Sequence, residues 1–298
     1  MGAKDAFSGY HPLVSLVYFA LVLAFTMVVM HPLSLMISWL GGLTYAACLY
    51  GWRAVAAKLR GLFPMLVTAA IVNPAFQHRG VTVLAYFPSG NPLTLESILY
   101  GLGAAGMLAA AVTWFFCCTA VMTTDKFVEL FGRAAPSLSL VLSMTLRFVP
   151  RFRRQFHAVA RAQRGLGRDV SDGGPIRRLR LGAAIVSAVV TWSLENAAET
   201  ADSMKSRGYG LSGRTSFSIY RIDGRDKAAL VWLLGVGGFL CFAALRGALS
   251  WRYYPAACGA PLTALFAAAQ GGYLALCLTP AILHGREERK WKRLQSEI

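Results

Sequence analysis

The amino-acid sequence predicts an all-α polytopic membrane protein, with about six transmembrane helices and a helical cytoplasmic insert between the fourth and the fifth. Three observations predict it. The 298 residues are 56% hydrophobic and only 15% charged, with a mean hydropathy of +0.49, too apolar for an ordinary soluble chain of this size. Charge-free runs of 18 residues or more recur along the chain, each able to cross a hydrocarbon core of about 30 Å at about 1.5 Å per residue. The 30 Lys and Arg gather in the segments between these runs.

The first half, residues 1–122, holds four spans. Residues 13–30 form an 18-residue stretch without a charge, and residues 32–49 follow it. Residues 62–76 are shorter and contain Pro64 and Pro74, which predicts a broken or partly inserted span that survives only against neighbours. Residues 98–122 are 25 residues without a charge. Two further spans, 228–245 and 258–283, complete the set and define a C-terminal membrane region of 228–283, with a basic tail at 284–298. The opening MGAKDAFSGYHPL leads into an apolar run too long for a signal peptide, so that run is expected to anchor the chain. The six cysteines fall in or beside spans without a CxxC pair, and the five histidines form no ligand pair. No metal or other cofactor is expected.

Basic residues mark the cytoplasmic side. With the amino terminus inside, 27 of the 30 Lys and Arg become cytoplasmic, and only Arg79, Arg246 and Arg252 face out. Both termini, a 51–61 loop and residues 123–227 are therefore expected in the cytoplasm. The formal net charge of +16 describes one face.

The insert, 123–227, is too long for a plain loop. TTDKFVELFGR predicts a short amphipathic helix with Phe127, Leu130 and Phe131 on its apolar side. A second helix starts at Pro136, bends at Pro150 and runs to Arg164. A third runs from Pro175 to Arg207, with an apolar stripe of Leu194, Ala197, Ala201 and Met204 beside an acidic stripe of Glu195, Glu199 and Asp202. The apolar stripe predicts helix packing, and the carboxylates are expected to pair with the insert's cations.

Two of these helices end alike. Gln163-Arg164-Gly165 and Ser206-Arg207-Gly208 each place an arginine before a glycine, 43 residues apart. One such end is ordinary, because a cation complements the helix dipole and glycine is favoured past the last turn. A pair on one side of the membrane suggests more, since guanidinium is a planar five-donor group suited to a partner's carboxylates. NPAFQHRG at 73–80 has two readings. In one, Asn73, His78 and Arg79 line a path or contact a partner near the outer face; in the other, Pro74 and Gly80 simply end a helix at the interface.

These arginine ends, with NPAFQHRG, LRFVPRF at 146–152 (holding Pro150) and LENAAETADSMKSRGYG at 194–210, resemble the transmembrane T component of energy-coupling factor transporters. The likeness covers roughly residues 10–225. One departure is Gln163, where the family more often has Ala. The resemblance implies a non-catalytic coupling subunit in a prokaryotic cell membrane, joining two cytoplasmic ABC-type ATPases to a small substrate-binding S component for vitamin or metal-ion uptake. It implies that Arg164 and Arg207, with Gln163, Gly165, Ser206 and Gly208, dock into the two ATPases.

The residues bear on the rivals. No Gly-Lys dipeptide occurs, so the chain lacks a phosphate loop and is not the motor. GLSGRTS at 210–216 reads as a turn. A self-sufficient channel or secondary transporter would show mid-membrane polar groups or repeated halves, and the sequence offers neither. An intramembrane enzyme would need a base beside Ser15, Ser34, Ser38 or Thr113. A membrane-tethered nucleic-acid or anionic-ligand binder fits the basic insert, but not two sharp arginine points; nucleic acid is not an expected partner.

Overall fold

The computed structural model describes residues 5–77, 80–86, 92–134, 136–168, 174–209, 211, 220–259 and 261–296. Helices dominate them: α1 (Pro12–Val28), α2 (Pro32–Tyr50), α3 (Trp52–Phe76), α4 (Leu95–Val121), α5 (Thr124–Ala134), α6 (Pro136–Gly165), α7 (Pro175–Ser206), α8 (Gly224–Leu245) and α9 (Ala264–Ser296). Two short antiparallel pairs sit in connections, β1 (Val83–Tyr86) with β2 (Pro92–Thr94), and β3 (Trp251–Arg252) with β4 (Cys258–Gly259). The protein is an all-α polytopic membrane protein. The chain divides into two compact units, one made of the chain up to Phe127 and from Tyr220 onward, the other of Val128–Ile219.

The first unit is a bundle in which α4 packs on α1, α2 and α3, and α9 packs on α2 and α8. Its centre is Trp114, fully buried with Tyr18 and Tyr45. The Trp114 Nε1 donates to the Ser38 hydroxyl at 3.0 Å. Ser38 Oγ lies 2.7 Å from Thr26 Oγ1, which lies 2.9 Å from the Tyr273 hydroxyl. One chain of hydrogen bonds thus ties α1, α2, α4 and α9, and Gln270 adds a bond to Ser34 at 2.8 Å. Polar groups do lie among the spans, contrary to the sequence expectation. They close on one another, which suits them to holding helices together in lipid.

The third span is better formed than its prolines suggest. α3 is a continuous 25-residue helix with Pro64 and Pro74 inside it. It begins at Trp52, so the expected 51–61 loop is helical. A proline has no N–H for the carbonyl four residues back, which leaves the Ala70 carbonyl without its helical donor above Pro74. Gly101 of α4 fills that place: a Cβ on it would sit 2.5 Å from the Ala70 oxygen and 3.1 Å from Pro74 Cδ. A neighbouring helix therefore covers the break, as a bilayer demands.

The last span also differs in its bounds. Cys258 and Gly259 are strand, and the helix starts only at Ala264, beyond Pro261. It then runs without interruption through the basic tail to Ser296, 33 residues in all, about 50 Å at the α-helical rise and so longer than a hydrocarbon core.

In the second unit α6 and α7 pack together, with Phe152 edge-on to Trp192 at 6.2 Å between ring centres. α6 runs through Pro150 to Gly165. Among the described residues six helices are long and apolar enough to cross a membrane, namely α2, α3, α4, α8, α9 and, unlike the sequence expectation, α7; α1 has 17 residues. The cause in α7 is the Ala- and Val-rich stretch between Arg180 and Glu195. Its Ile176, Leu179, Val186, Val190 and Leu194 are exposed.

Candidate partner-docking helix ends

α7 ends in two backbone bonds. Gly208 donates its amide to the Lys205 carbonyl at 3.0 Å, and Tyr209 donates to the Met204 carbonyl at 3.0 Å. This pairing satisfies carbonyls that the last turn leaves open and requires a left-handed residue just past the helix. Gly208 supplies it with φ +74. Arg207 is the capping residue, with its own amide bonded to the Ser203 carbonyl at 3.3 Å. Ser206 and Arg207 are exposed, and the Ser206 hydroxyl donates to the Ser203 carbonyl at 2.9 Å.

α6 closes the same way in a different register. Gly167 donates to the Arg164 carbonyl and Arg168 to the Gln163 carbonyl, both at 2.9 Å. The left-handed residue is Gly167, with φ +75, while Gly165 is still helical. This corrects the expectation that Gly165 is the residue just past the end: it is the last helical residue, and the left-handed place falls two residues later. Taking the second glycine of Gly-Leu-Gly lets the helix continue before it caps. Leu166 therefore holds the place that Arg207 holds on α7, and Arg164 matches Lys205. Arg164 is exposed and Gln163 partly so.

A third helix has this end. α8 is capped by Arg246, and Gly247, with φ +73, donates to the Ala244 carbonyl at 2.9 Å. Ala248 completes the pair on the Ala243 carbonyl at 3.0 Å. Arg246 turns back over the Phe242 ring, at 5.3 Å. An arginine followed by a left-handed glycine is thus a capping device used on both α7 and α8, and Arg246 is as exposed as Arg164 and Arg207; what sets Arg164 and Arg207 apart is that both belong to the second unit. The sequence carried this signal in Leu245-Arg246-Gly247.

NPAFQHRG divides between the described residues and His78 and Arg79, which lie outside them. The Asn73 carbonyl accepts the Gln77 amide at 2.8 Å. Pro74 faces Gly101, as above. The Gln77 carbonyl accepts the Ser97 hydroxyl at 2.7 Å. Gly80 lies so close to α4 that a Cβ would meet the Glu96 carboxylate at 2.5 Å. That carboxylate accepts the Thr82 amide at 3.2 Å and 3.3 Å through its two oxygens. These contacts fasten the end of α3 to the start of α4. Pro150 is exposed on α6, its carbonyl accepting from Arg154 Nε at 3.3 Å.

Glu195, Glu199 and Asp202 are exposed, and none forms an ion pair among the described residues. The expected pairing with the insert's cations is absent there. Leu194, Ala197 and Ala201 are exposed as well, so that stripe does not pack within the described residues. Among them no group of His, Cys, Asp and Glu could hold a metal ion.

The family model described as cobalt transport protein, CbiQ, matches residues 8–217. The chain belongs to the CbiQ family. Within that family's reach lie all the helix ends of the second unit and the α3–α4 fastening. The chain is 34% identical over 116 residues to an energy-coupling factor transporter transmembrane protein EcfT of Lactobacillus helveticus, covering 39% of this chain and 42% of the relative. It is 30% identical over 124 residues to the EcfT of Streptococcus thermophilus, covering 41% and 47%. The matched stretch thus spans less than half the length of these relatives. The chain is thus a multi-pass membrane protein of the CbiQ transport family.

Proposed function

We propose that this chain couples two cytoplasmic ATPases to a substrate-binding S component, and has no catalytic activity of its own. The observation that carries the reading is the pair of exposed arginines at opposite ends of the packed helices α6 and α7. Arg207 lines a groove with the α6 segment from Leu140 to Arg151, and Arg164 lies 13 residues beyond Arg151, about 20 Å further along the helix. One packed pair of helices offers two separated cationic points, one for each ATPase. Movement of the ATPases toward and away from each other would pull on both points at once.

The S component needs a different surface, and α7 has one. Ile176, Leu179, Val186, Val190 and Leu194 recur at helical spacing and are exposed. An apolar face of this length matches a membrane protein partner better than water. It also accounts for the span-like composition of α7 while leaving the insert, 123–227, on the cytoplasmic side with both termini. The transported vitamin or metal ion would be held by the S component.

The test is co-expression with candidate ATPases and small membrane proteins, followed by purification in mild detergent. Recovery of two ATPase chains and one further membrane protein is expected. Transport by the purified chain alone in vesicles would overturn the reading.

A further inference from the structure

LRFVPRF has no part in the docking ends, yet it supplies three side chains to a groove of the second unit. This groove, of about 560 Å³, is lined on α6 by Leu140, Met144, Arg147, Phe148 and Arg151. From α7 and its end come Glu199, Thr200, Ser203, Met204, Arg207 and Tyr209. The spacing explains the lining. Leu140, Met144 and Phe148 are at i, i+4 and i+8, and Arg147 and Arg151 form the adjacent row at i and i+4. The result has an apolar strip bordered by three guanidinium groups.

Those three groups lack a charged partner among the described residues. Arg147, Arg151 and Arg207 are exposed and make no ion pair with any described residue. Arg151 lies over the Phe148 ring, at 6.0 Å. Among the described lining residues Glu199 is the one carboxylate against three arginines, an excess of positive charge. Groups of this kind bind phosphate bidentately.

We infer that this groove holds an anionic phospholipid, its phosphate between Arg147 and Arg151 with Arg207 near, and part of an acyl chain along Leu140, Met144, Phe148 and Met204. Charge complementarity fixes the anion, and the apolar strip fixes the chain attached to it. The volume falls within the roughly 300 to 1,000 Å³ of small-molecule sites, whereas an α-helix of a partner is about 10 Å across and would fill more than this space over three turns. For a chain with a set of membrane spans, phospholipid is the amphiphile always at hand. The inference goes beyond the coupling role and shares only Arg207 with it; Arg147 and Arg151 carry the phosphate.

The test uses the purified full chain in mild detergent, without ATPases, and native mass spectrometry with dioleoyl phosphatidylglycerol or dioleoyl phosphatidylcholine. Phosphatidylglycerol should be retained in preference, and Arg147→Gln with Arg151→Gln should weaken its retention about tenfold or more. Neither residue belongs to the docking ends, so the outcome is separable from the fate of the coupling reading. Ser203→Trp, which fills the groove and leaves every arginine, should also weaken retention, and it stands in if the double variant misfolds. Millimolar inorganic phosphate should not displace the lipid, because it lacks the apolar chain; displacement would make the site a free-phosphate site and overturn the lipid assignment. Equal retention of the two lipids, or unchanged retention in either variant, would overturn it too. So would binding of an acidic amphipathic peptide to the arginines in place of phosphatidylglycerol.

Discussion

Gly167 donates its amide to the carbonyl of Arg164 at 2.9 Å, which puts the arginine inside the last turn of α6 and the glycine in the left-handed position beyond it. The cap therefore assigns different values to two glycines only two residues apart. Ala at position 167 must adopt φ near +75, a conformation that costs an L-residue about 1 to 2 kcal/mol. Ala at position 165 is helical with open space around it, where replacing Gly gains about 0.5 to 1 kcal/mol. Gly167→Ala and Gly208→Ala should lower the thermal unfolding midpoint in detergent, and Gly165→Ala should leave it unchanged or raise it. The opposite order would mean that Gly165, and not Gly167, takes the left-handed place past the helix.

A second prediction concerns the covered break in α3. Gly101 lies against the Ala70 carbonyl and Pro74, while a Cβ on Gly106 of the same helix would meet nothing within 4 Å. Gly101→Leu should destabilise the protein by about 1 to 3 kcal/mol through overpacking, and Gly106→Ala should be mild. Thermal melts of the two variants decide it. Equal midpoints would show that α3 and α4 separate easily at this point.

The spans were legible in the sequence because a bilayer asks for long apolar runs, and length and charge report these directly. α7 was half legible: its ends near Pro175 and Arg207 follow from proline, arginine and glycine, but its exposed Val186 and Val190 look the same in sequence as buried ones. The continuity of α3 was hidden because Pro64 and Pro74 break local rules, and the compensating Gly101 is distant in sequence. The register of the α6 cap was hidden for a smaller reason. Gly165 and Gly167 are both acceptable by residue type, and the hydrogen bonds of Arg168 and Gly167 choose between them. Nor could residue spacing show that Arg147 and Arg207, 60 positions apart, border one groove.

Orientation is the third prediction. Ser250 follows α8 and Ser296 ends α9, and both are exposed. In a background without the native cysteines, a cysteine at 250 should react with an impermeant thiol reagent in intact cells, and one at 296 only after lysis. Ser89 and Ser171, natural choices for the same experiment, lie outside the described residues. Labelling at 296 in intact cells would place the carboxyl end outside and reverse the proposed topology.

The fourth prediction sets docking against capping at Arg207. Arg246 has the same cap as Arg207, so loss of the cap alone should cost each helix a similar small amount, about 0.3 to 1 kcal/mol for an exposed terminal cation. A guanidinium buried against a partner's carboxylate is another matter, since truncating one side of such a pair costs about 2 to 5 kcal/mol. Arg207→Ala should therefore weaken retention of the ATPases and slow transport while the membrane protein accumulates normally. Arg246→Ala and Lys205→Ala should be mild. If both ends dock, Arg164→Ala combined with Arg207→Ala should lose far more than either alone, because each single variant keeps one ATPase attached and the bound one holds its partner close. The register difference sharpens the comparison: Arg164 comes from inside the last turn and Arg207 from the cap itself, so Arg164→Lys and Arg207→Lys need not lose equally, and the more damaged one marks the bidentate contact. A double alanine variant that copurifies with both ATPases and supports transport at the normal rate would reduce the two arginines to helix ends like Arg246, and the coupling surface would have to be sought on the apolar face of α7.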